Sequence, residues 1–343
     1  MRGGERMVRS YLKGFKEADI YALFGNRRMV KKEFEGVKIR FSALQLLPGI
    51  RRFYRYTLPI WPLIFKFWNL RKYDLIISFS SSFAKCVKGG KGTEHIAVIM
   101  TPPRYLWDMS GEYIRFASKF GRAFFRFFST PLRIIDANSA KVPTRIVAIS
   151  KYTARRICKY YGRNADLIVY PPVTVPNRLP DQTSNQNLDE LGDFYLAISP
   201  FEENKNPEFL FKSAVSLGYS LVVIGGGSLF QKYTELYQAS KNILFLPTVS
   251  DDEKWMLLAR AKALLMFGIE DCGTIQIEAV YAGCPVIAYA DGGVKETLVN
   301  GQNSVILNEL TLSELGHAMK RVEVLSSSVE QFRSLIPNSL IVE

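Results

Sequence analysis

Residues Lys262–Glu296 read "KALLMFGIEDCGTIQIEAVYAGCPVIAYADGGVKE". "KALLMF" is a short apolar run of the kind that forms a buried strand. "GTIQIEAVYAG" reads as a helix starting near Thr274, with Gly283 as its C′ residue and Pro285 barring continuation. "PVIAYA" is a second strand. Strand, helix and strand in so few residues imply a parallel pair joined by a helical crossover. Glu270 then lies on the loop at the carboxyl end of the first strand, and Glu278 a little over one turn into the helix. The amides of Gly273, Thr274 and Ile275 fall at the helix start, where unpaired donors favour an anion. Gly273 lets a ligand approach the backbone closely. One edge therefore offers donors to phosphate and acceptors to hydroxyls. Two acids at this spacing, taken alone, are more often a solvated loop residue and a solvated helix residue, so their neighbours decide.

Working outward, the same alternation continues. "FYLAIS", "SLVVIGGG", "KNILFLP" and "SVILN" are strands, and "NPEFLFKSAVSLG", "SDDEKWMLLARA" and "TLSELGHAMKRVEVL" helices. Ser250 with Glu253 has capping-box spacing. Gly225 opens a glycine loop at a strand end, and a simple tight turn is a nearly equal reading of it. In the first half "YDLIISFS", "HIAVIM", "RIVAIS" and "DLIVY" are strands, and "SKYTARRICKYYG" is a helix capped by Ser150 and stopped at Gly162. The expectation is an α/β chain with a mainly parallel sheet in each half. It comprises a basic acceptor-side domain over 1–172, a linker over 173–192, a second α/β domain over 193–326 and a tail over 327–343. Two such domains facing one another would leave a cleft, with ligands beyond the carboxyl ends of the strands.

The formal net charge of +13 hides an asymmetry. Residues 1–170 carry 33 Lys/Arg against 11 Asp/Glu, and the remainder 12 against 21. A basic half suits an anionic partner, or is a basic surface with no single partner. Its aromatic-basic segments, "RRFYRYTLPIWPLIFKFW" and "RFASKFGRAFFRFFSTPLRI", would suit anionic lipid headgroups; alternatively the aromatics are core and the charges a solvated face. No nucleic-acid motif is present. The longest apolar stretch, "YTLPIWPLIFKFW", is broken by Pro59, Pro62 and Lys66 and is too short to span a bilayer. Four scattered cysteines and two histidines lack zinc-ligand spacing, so no metal is expected and the cysteines read as reduced cytosolic thiols.

The combination "EDCGTIQIE", "AVYAGCPVIA" and "GGVKE" resembles the retaining glycosyltransferases of family 4, which have the GT-B fold of two Rossmann-like domains. That family carries a Glu-x7-Glu motif followed by a small-residue Gly-x-Pro-Val-Ile-Ala segment and a Gly-Gly-x-x-Glu element; Cys272 stands where phenylalanine is usual. "TPPRYLWD" (Thr101–Asp108), "AISKYTARRICKYYGRNADLIVYPPV" and the stretch Leu46–Lys85 resemble the branch of O-antigen and capsule mannosyltransferases.

The resemblance implies the following roles. Glu270 contacts the donor sugar as the catalytic acid residue, Glu278 holds ribose hydroxyls, and Lys205 neutralises the diphosphate. Gly225, Gly273, Thr274 and Ile275 line the donor pocket. Gly3, Gly4, Met100 and Arg104 are acceptor-side candidates. The donor is a nucleotide-sugar, GDP-mannose in the first instance and a UDP-sugar in the second, with no cofactor or metal. The acceptor is a lipid-linked glycan, and the setting is cytoplasmic, peripheral on the inner face of the plasma membrane. Met100 stands where the family has a histidine, and Pro200 where an arginine is frequent. "MRGGER" resembles the middle of the family's first glycine-rich loop, without the strand that precedes it. A transferase homologue that binds donor or glycan without turnover is the alternative.

Overall fold

The computed structural model describes residues 3–15, 17–116, 118–180, 186–325 and 329–342. The chain divides into two compact units, Met1–Val169 and Tyr170–Glu343.

The first unit contains α1 (Gly3–Leu12), β1 (Ile20–Ala22), α2 (Arg27–Glu33), β2 (Ile39–Phe41), α3 (Ile50–Phe53), α4 (Trp61–Phe67), β3 (Leu75–Ser80), β4 (Glu94–Ile99), α5 (Ser110–Phe116), α6 (Lys119–Ser139), β5 (Arg145–Ala148), α7 (Lys151–Tyr161) and β6 (Leu167–Ile168). β3, β4, β5 and β6 form a parallel sheet in that order, while β1 and β2 pair only with each other. The α7 boundaries follow from local chemistry: the Ser150 hydroxyl accepts from Thr153 N at 2.9 Å, and Gly162 ends the helix in the left-handed region. Gly3 and Gly4 lie in the first turn of α1, not in a loop as the sequence resemblance implied. The helix is anchored there by Met7, 6% exposed.

The second unit contains β7 (Val173–Thr174), α8 (Gln186–Leu191), β8 (Tyr195–Ile198), α9 (Pro207–Leu217), β9 (Leu221–Ile224), α10 (Phe230–Tyr237), β10 (Ile243–Leu246), α11 (Asp251–Arg260), β11 (Leu264–Met266), α12 (Ile275–Tyr281), β12 (Val286–Tyr289), β13 (Ser304–Leu307), α13 (Leu312–Val324), α14 (Val329–Ser334) and β14 (Ile341–Val342). Its six-stranded sheet is wholly parallel, in the order β10-β9-β8-β11-β12-β13. Val222 and Ile224 of β9 pack on one face with Leu258, Ile277 and Val280; Leu221 and Val223 pack on the other with Phe211, Leu315 and Ala318. Burial on both faces is why these strands read as unbroken apolar runs.

Residues expected as linker and tail carry structure. β7 pairs with β14 in parallel, and Phe332, Ile336 and Leu340 are buried in the second unit's core. Pro, Asn and Gln mask this in the sequence, because a two-residue strand pair has too little periodicity to read. Residues 181–185, also within the expected linker, lie outside the described residues. After β12 the chain makes a 3-10 turn, Gly293–Glu296, following Gly292 at φ +98°.

Candidate functional site

The strand order reverses between β8 and β11: β9 and β10 lie beyond one, β12 and β13 beyond the other. In an open α/β sheet this switch point opens a crevice past the carboxyl ends of the two strands, because their following segments diverge to opposite faces. The loops after β8 and β11 both end there and are stitched together. Asn206 Nδ2 donates to Phe267 O at 2.7 Å, and Ile269 N to Asn204 O at 3.2 Å. Asn206 takes a left-handed φ of +49°, a conformation its short polar side chain tolerates. At Gly268 a Cβ would lie 2.6 Å from Lys205 Cδ and 2.9 Å from Lys205 Cα, so only glycine permits this approach.

That approach brings Lys205 and Glu270 together as an ion pair, their side chains 13% and 26% exposed. Lys205 closes a 3-10 turn, Glu203–Lys205, in the loop after β8. Glu270 sits in a half-buried loop whose carbonyl accepts from Gly293 N at 2.7 Å. The Gly-Gly segment after β12 is thereby laid against the Glu270 loop, and a Cβ at Gly292 would fall 2.3 Å from Glu270 O. Further along, Glu296 accepts from the Tyr170 hydroxyl at 2.6 Å.

Glu278 projects from α12 and is 4% exposed. Its carboxylate meets Lys254 Nζ of α11 at 2.9 Å, and that lysine side chain is itself 9% exposed. Lys254 also lies 3.5 Å from Asp251, whose side chain is 76% exposed. The sequence reading missed Lys254, which follows three acids at the head of the helix and has no local mark of burial.

Gln276 is fully buried and joins the two loops, donating to Cys272 O at 2.8 Å and Thr297 Oγ1 at 3.1 Å. Gly273 has φ +72°, and a Cβ there would meet Gln276 Oε1 at 2.2 Å. Thr274 occupies the N-cap position of α12 without a side-chain cap bond. Its carbonyl accepts from Ile277 N and Glu278 N, both at 3.1 Å, while the half-buried Gly273, Thr274 and Ile275 start the helix beside it. Cys272 is buried, and burial pushes its thiol up to about 12, aided by the carboxylates of Glu296, Asp271 and Glu270. It is a packing residue. At Gly225 a Cβ would lie 2.1 Å from Ser199 O, so the β9 loop also closes on the β8 loop.

In the first unit, Gly4 and Met100 are neighbours: a Cβ on Gly4 would lie 3.1 Å from Met100 Sδ. Arg104 is 9% exposed and pairs with Asp108 at 3.3 Å. Asp108 also takes Arg156 Nη2 at 2.6 Å, and Arg156 bonds Thr101 and Pro102 O, fastening the "TPPRYLWD" segment to α7. Among the described residues there is no cluster of three or more His, Cys, Asp or Glu placed to hold a metal ion.

Residues 181–334, within the second unit, match the family described as "Glycosyl transferases group 1". Three known proteins give the likeness its detail. The α-1,3/1,6-mannosyltransferase ALG2 of Mus musculus is 25% identical over 206 residues, covering 51% of this chain and 49% of that protein. The GDP-mannose-dependent α-(1-6)-phosphatidylinositol monomannoside mannosyltransferase of Mycobacterium tuberculosis is 24% identical over 196 residues, 51% of each chain. The crystal structure of Anabaena HepE in complex with UDP and glucose superposes with a TM-score of 0.62 at 13% identity, over 99% of this chain and 90% of that one. The chain spans about half the length of the curated relatives it matches. The fold is of the GT-B type.

Proposed function

We propose that the protein is a retaining glycosyltransferase that moves a hexose, mannose in the first instance, from a nucleotide-sugar to a lipid-linked or polysaccharide acceptor. One observation carries the proposal: Lys205 and Glu270 are paired at the switch point of the second sheet. In this reading the Lys205 ammonium stabilises charge developing on the departing diphosphate. Glu270 contacts the donor sugar and keeps Lys205 aimed until a donor arrives. The amides of Gly273, Thr274 and Ile275 receive phosphate oxygens. Glu278 accepts from ribose hydroxyls, and Lys254 pairs with that carboxylate inside the core. GDP-mannose is favoured over a UDP-sugar because the mycobacterial relative is GDP-mannose-dependent by name.

Acceptor binding falls to the first unit, at Gly3, Gly4, Met100 and Arg104. Its surface supports a peripheral membrane contact. Phe67, Phe120, Phe127 and Leu63 are 83%, 69%, 74% and 52% exposed, interspersed with exposed Arg52, Lys66, Arg122 and Arg126. The two aromatic-basic segments adjoin through Tyr56 and Phe120, with ring centroids 5.3 Å apart. Other members of the same segments, Leu58, Phe65, Phe125 and Leu132, are core, so only the exposed members are available for such a contact. No described helix is long and apolar enough to cross a membrane. A second reading, binding without turnover, is favoured by the Met100 thioether packed on Gly4, because a thioether relays no proton.

The test is product analysis with GDP-mannose and a polyprenyl-diphosphate glycan acceptor. Transfer with retained anomeric configuration supports the proposal. Inverted product would refute retention, and tight donor binding without release of nucleoside diphosphate would favour the second reading.

A further inference from the structure

Aromatic rings surround a small cavity in the first unit. Tyr54, Trp61, Tyr105, Tyr113 and Phe125 line it, in a volume of about 190 Å³. Ser81 and Ser82, which follow β3, supply polar lining together with the exposed Arg55. Tyr105 belongs to the segment after β4, so the cavity lies beyond the carboxyl ends of two adjacent parallel strands, where open α/β sheets take their ligands. Its walls are braced by one another. Tyr54 and Trp61 stack at 6.2 Å with an interplanar angle of 19°, and Tyr105 meets Tyr113 and Phe125 edge to face at 6.2 and 6.4 Å. Trp61 Nε1 already donates to Thr57 Oγ1 at 2.9 Å, so the indole offers a ligand its ring and not its N–H.

The polar side is held by charges that reach no solvent. Lys85 and Asp136, both 0% exposed, pair at 2.5 Å. Lys85 Nζ also donates to Ser82 O at 2.6 Å, as does Ser80 Oγ at 2.8 Å, while Trp107 Nε1 donates to Asp136 at 2.8 Å. Ser82 Oγ shares a hydrogen bond with the Tyr105 hydroxyl at 2.8 Å. A buried ion pair often stabilises a fold no better than well-packed apolar side chains would. What this one supplies is a fixed position for Ser82 and, through it, for Tyr105.

We propose, resting on the transferase reading of the protein, that this cavity is a subsite for one pyranose ring of the acceptor glycan. The apolar face of the sugar lies on the aromatic walls, and its hydroxyls meet Ser81, Ser82 and Tyr105. A pyranose has the two-sided character this lining suits, with C–H groups on its faces and hydroxyls around its rim. An isoprenoid chain would gain nothing from Ser81, Ser82 and Arg55 and would cut their polar groups off from water. The setting agrees. Trp61 and Phe125 come from α4 and α6, the helices that also expose Leu63, Phe67, Phe120 and Phe127. A glycolipid whose chain stays at that surface has its first sugars beside the cavity. Lys85 and Asp136 are positioning residues: they touch no sugar, and holding the hydroxyls in place beforehand lowers the cost of binding.

The experiment labels the full chain with 5-fluorotryptophan, assigns the four resonances by replacing each tryptophan with Phe in turn, and titrates in methyl α-glycosides of mannose, glucose, galactose and N-acetylglucosamine. At least one glycoside should move the Trp61 resonance saturably, with a dissociation constant of about 1–20 mM. Tyr105→Phe and Ser82→Ala should each weaken that binding about fivefold. Lys85→Met alone strands Asp136, so the positioning role is read on Lys85→Met combined with Asp136→Leu, which removes both charges. That double variant should still unfold cooperatively and yet bind the glycoside about fivefold more weakly; equal affinity in the folded double variant would overturn the positioning role. No saturable movement of Trp61 at about 100 mM of any glycoside, or movement by farnesol that no glycoside produces, would overturn the proposal. GDP-mannose separates the two claims. Its binding, with Trp61 silent to every glycoside, would overturn the subsite alone; glycoside binding without donor binding would overturn the transferase reading and keep the sugar pocket.

Discussion

Lys254 and Glu278 offer a sharp test of how the second unit keeps a carboxylate in its core. Replacing Lys254 with Met retains the stem that packs near Trp255, whose ring centroid is 4.8 Å from Nζ, and removes only the charge. Glu278, its side chain 5% exposed, then loses its cationic contact. Removing one partner of a buried pair costs about 3–5 kcal/mol. The lower end applies, because α11 begins at Asp251 and its first turn can relax toward solvent. Glu278→Gln should cost less, about 2 kcal/mol, since Lys254 retains the exposed Asp251, a contact worth about 0–1 kcal/mol. In the double variant neither charge is stranded, so the two losses should not add, and the coupling should exceed about 1.5 kcal/mol. Urea unfolding followed by 5-fluorotryptophan NMR suits the measurement. Trp255 is the sole tryptophan after residue 170, so its resonance reports the second unit alone. Losses that add to within about 0.5 kcal/mol would refute the reasoning, because they would mean the two charges do not interact.

Four further outcomes follow from the geometry. Gly225→Ala would place a methyl 2.1 Å from Ser199 O, a backbone atom that cannot swing aside, so the Tm of the second unit should fall by several degrees and donor affinity with it. His95 is buried, and burial lowers its pKa from 6.5 to about 4. The unfolded chain therefore binds a proton that the folded chain refuses between those values. Stability should rise with pH from about 4 to 6.5, by up to about 3 kcal/mol, and His95→Gln should flatten that slope in urea titrations. Cys158 is exposed while Cys86, Cys272 and Cys284 are buried, so a thiol reagent should label one cysteine quickly in the native protein and the others only on unfolding. Vesicles with anionic lipid should retain the protein in a salt-sensitive way, and Phe67, Phe120 and Phe127 changed together to Ser should release it; equal recovery on neutral vesicles would count against a charged contact.

The second unit was largely legible in its sequence. Strands buried on both faces leave continuous apolar runs, and the caps at Ser250 and Gly218 mark helix ends chemically. Glu270, Glu278 and Lys205 could each be placed on an element, but not paired: Lys205 and Glu270 meet only because Gly268 lets two loops touch. Lys254 was invisible for the same reason, since nothing local distinguishes a buried lysine from one on a solvated face. In the first unit, β1 and β2 have three residues each, too few for a period. The closeness of Gly4 and Met100 is likewise a product of tertiary packing.

The central claim is that the second unit binds a nucleotide-sugar at the β8–β11 switch point. Isothermal titration with GDP-mannose, on the wild type and on Lys205→Ala, tests it most directly. The account predicts saturable binding, at least tenfold weaker when the Lys205 ammonium is gone. Binding of equal strength to both proteins, or no binding of GDP-mannose, UDP-glucose or GDP to the wild type, would contradict it.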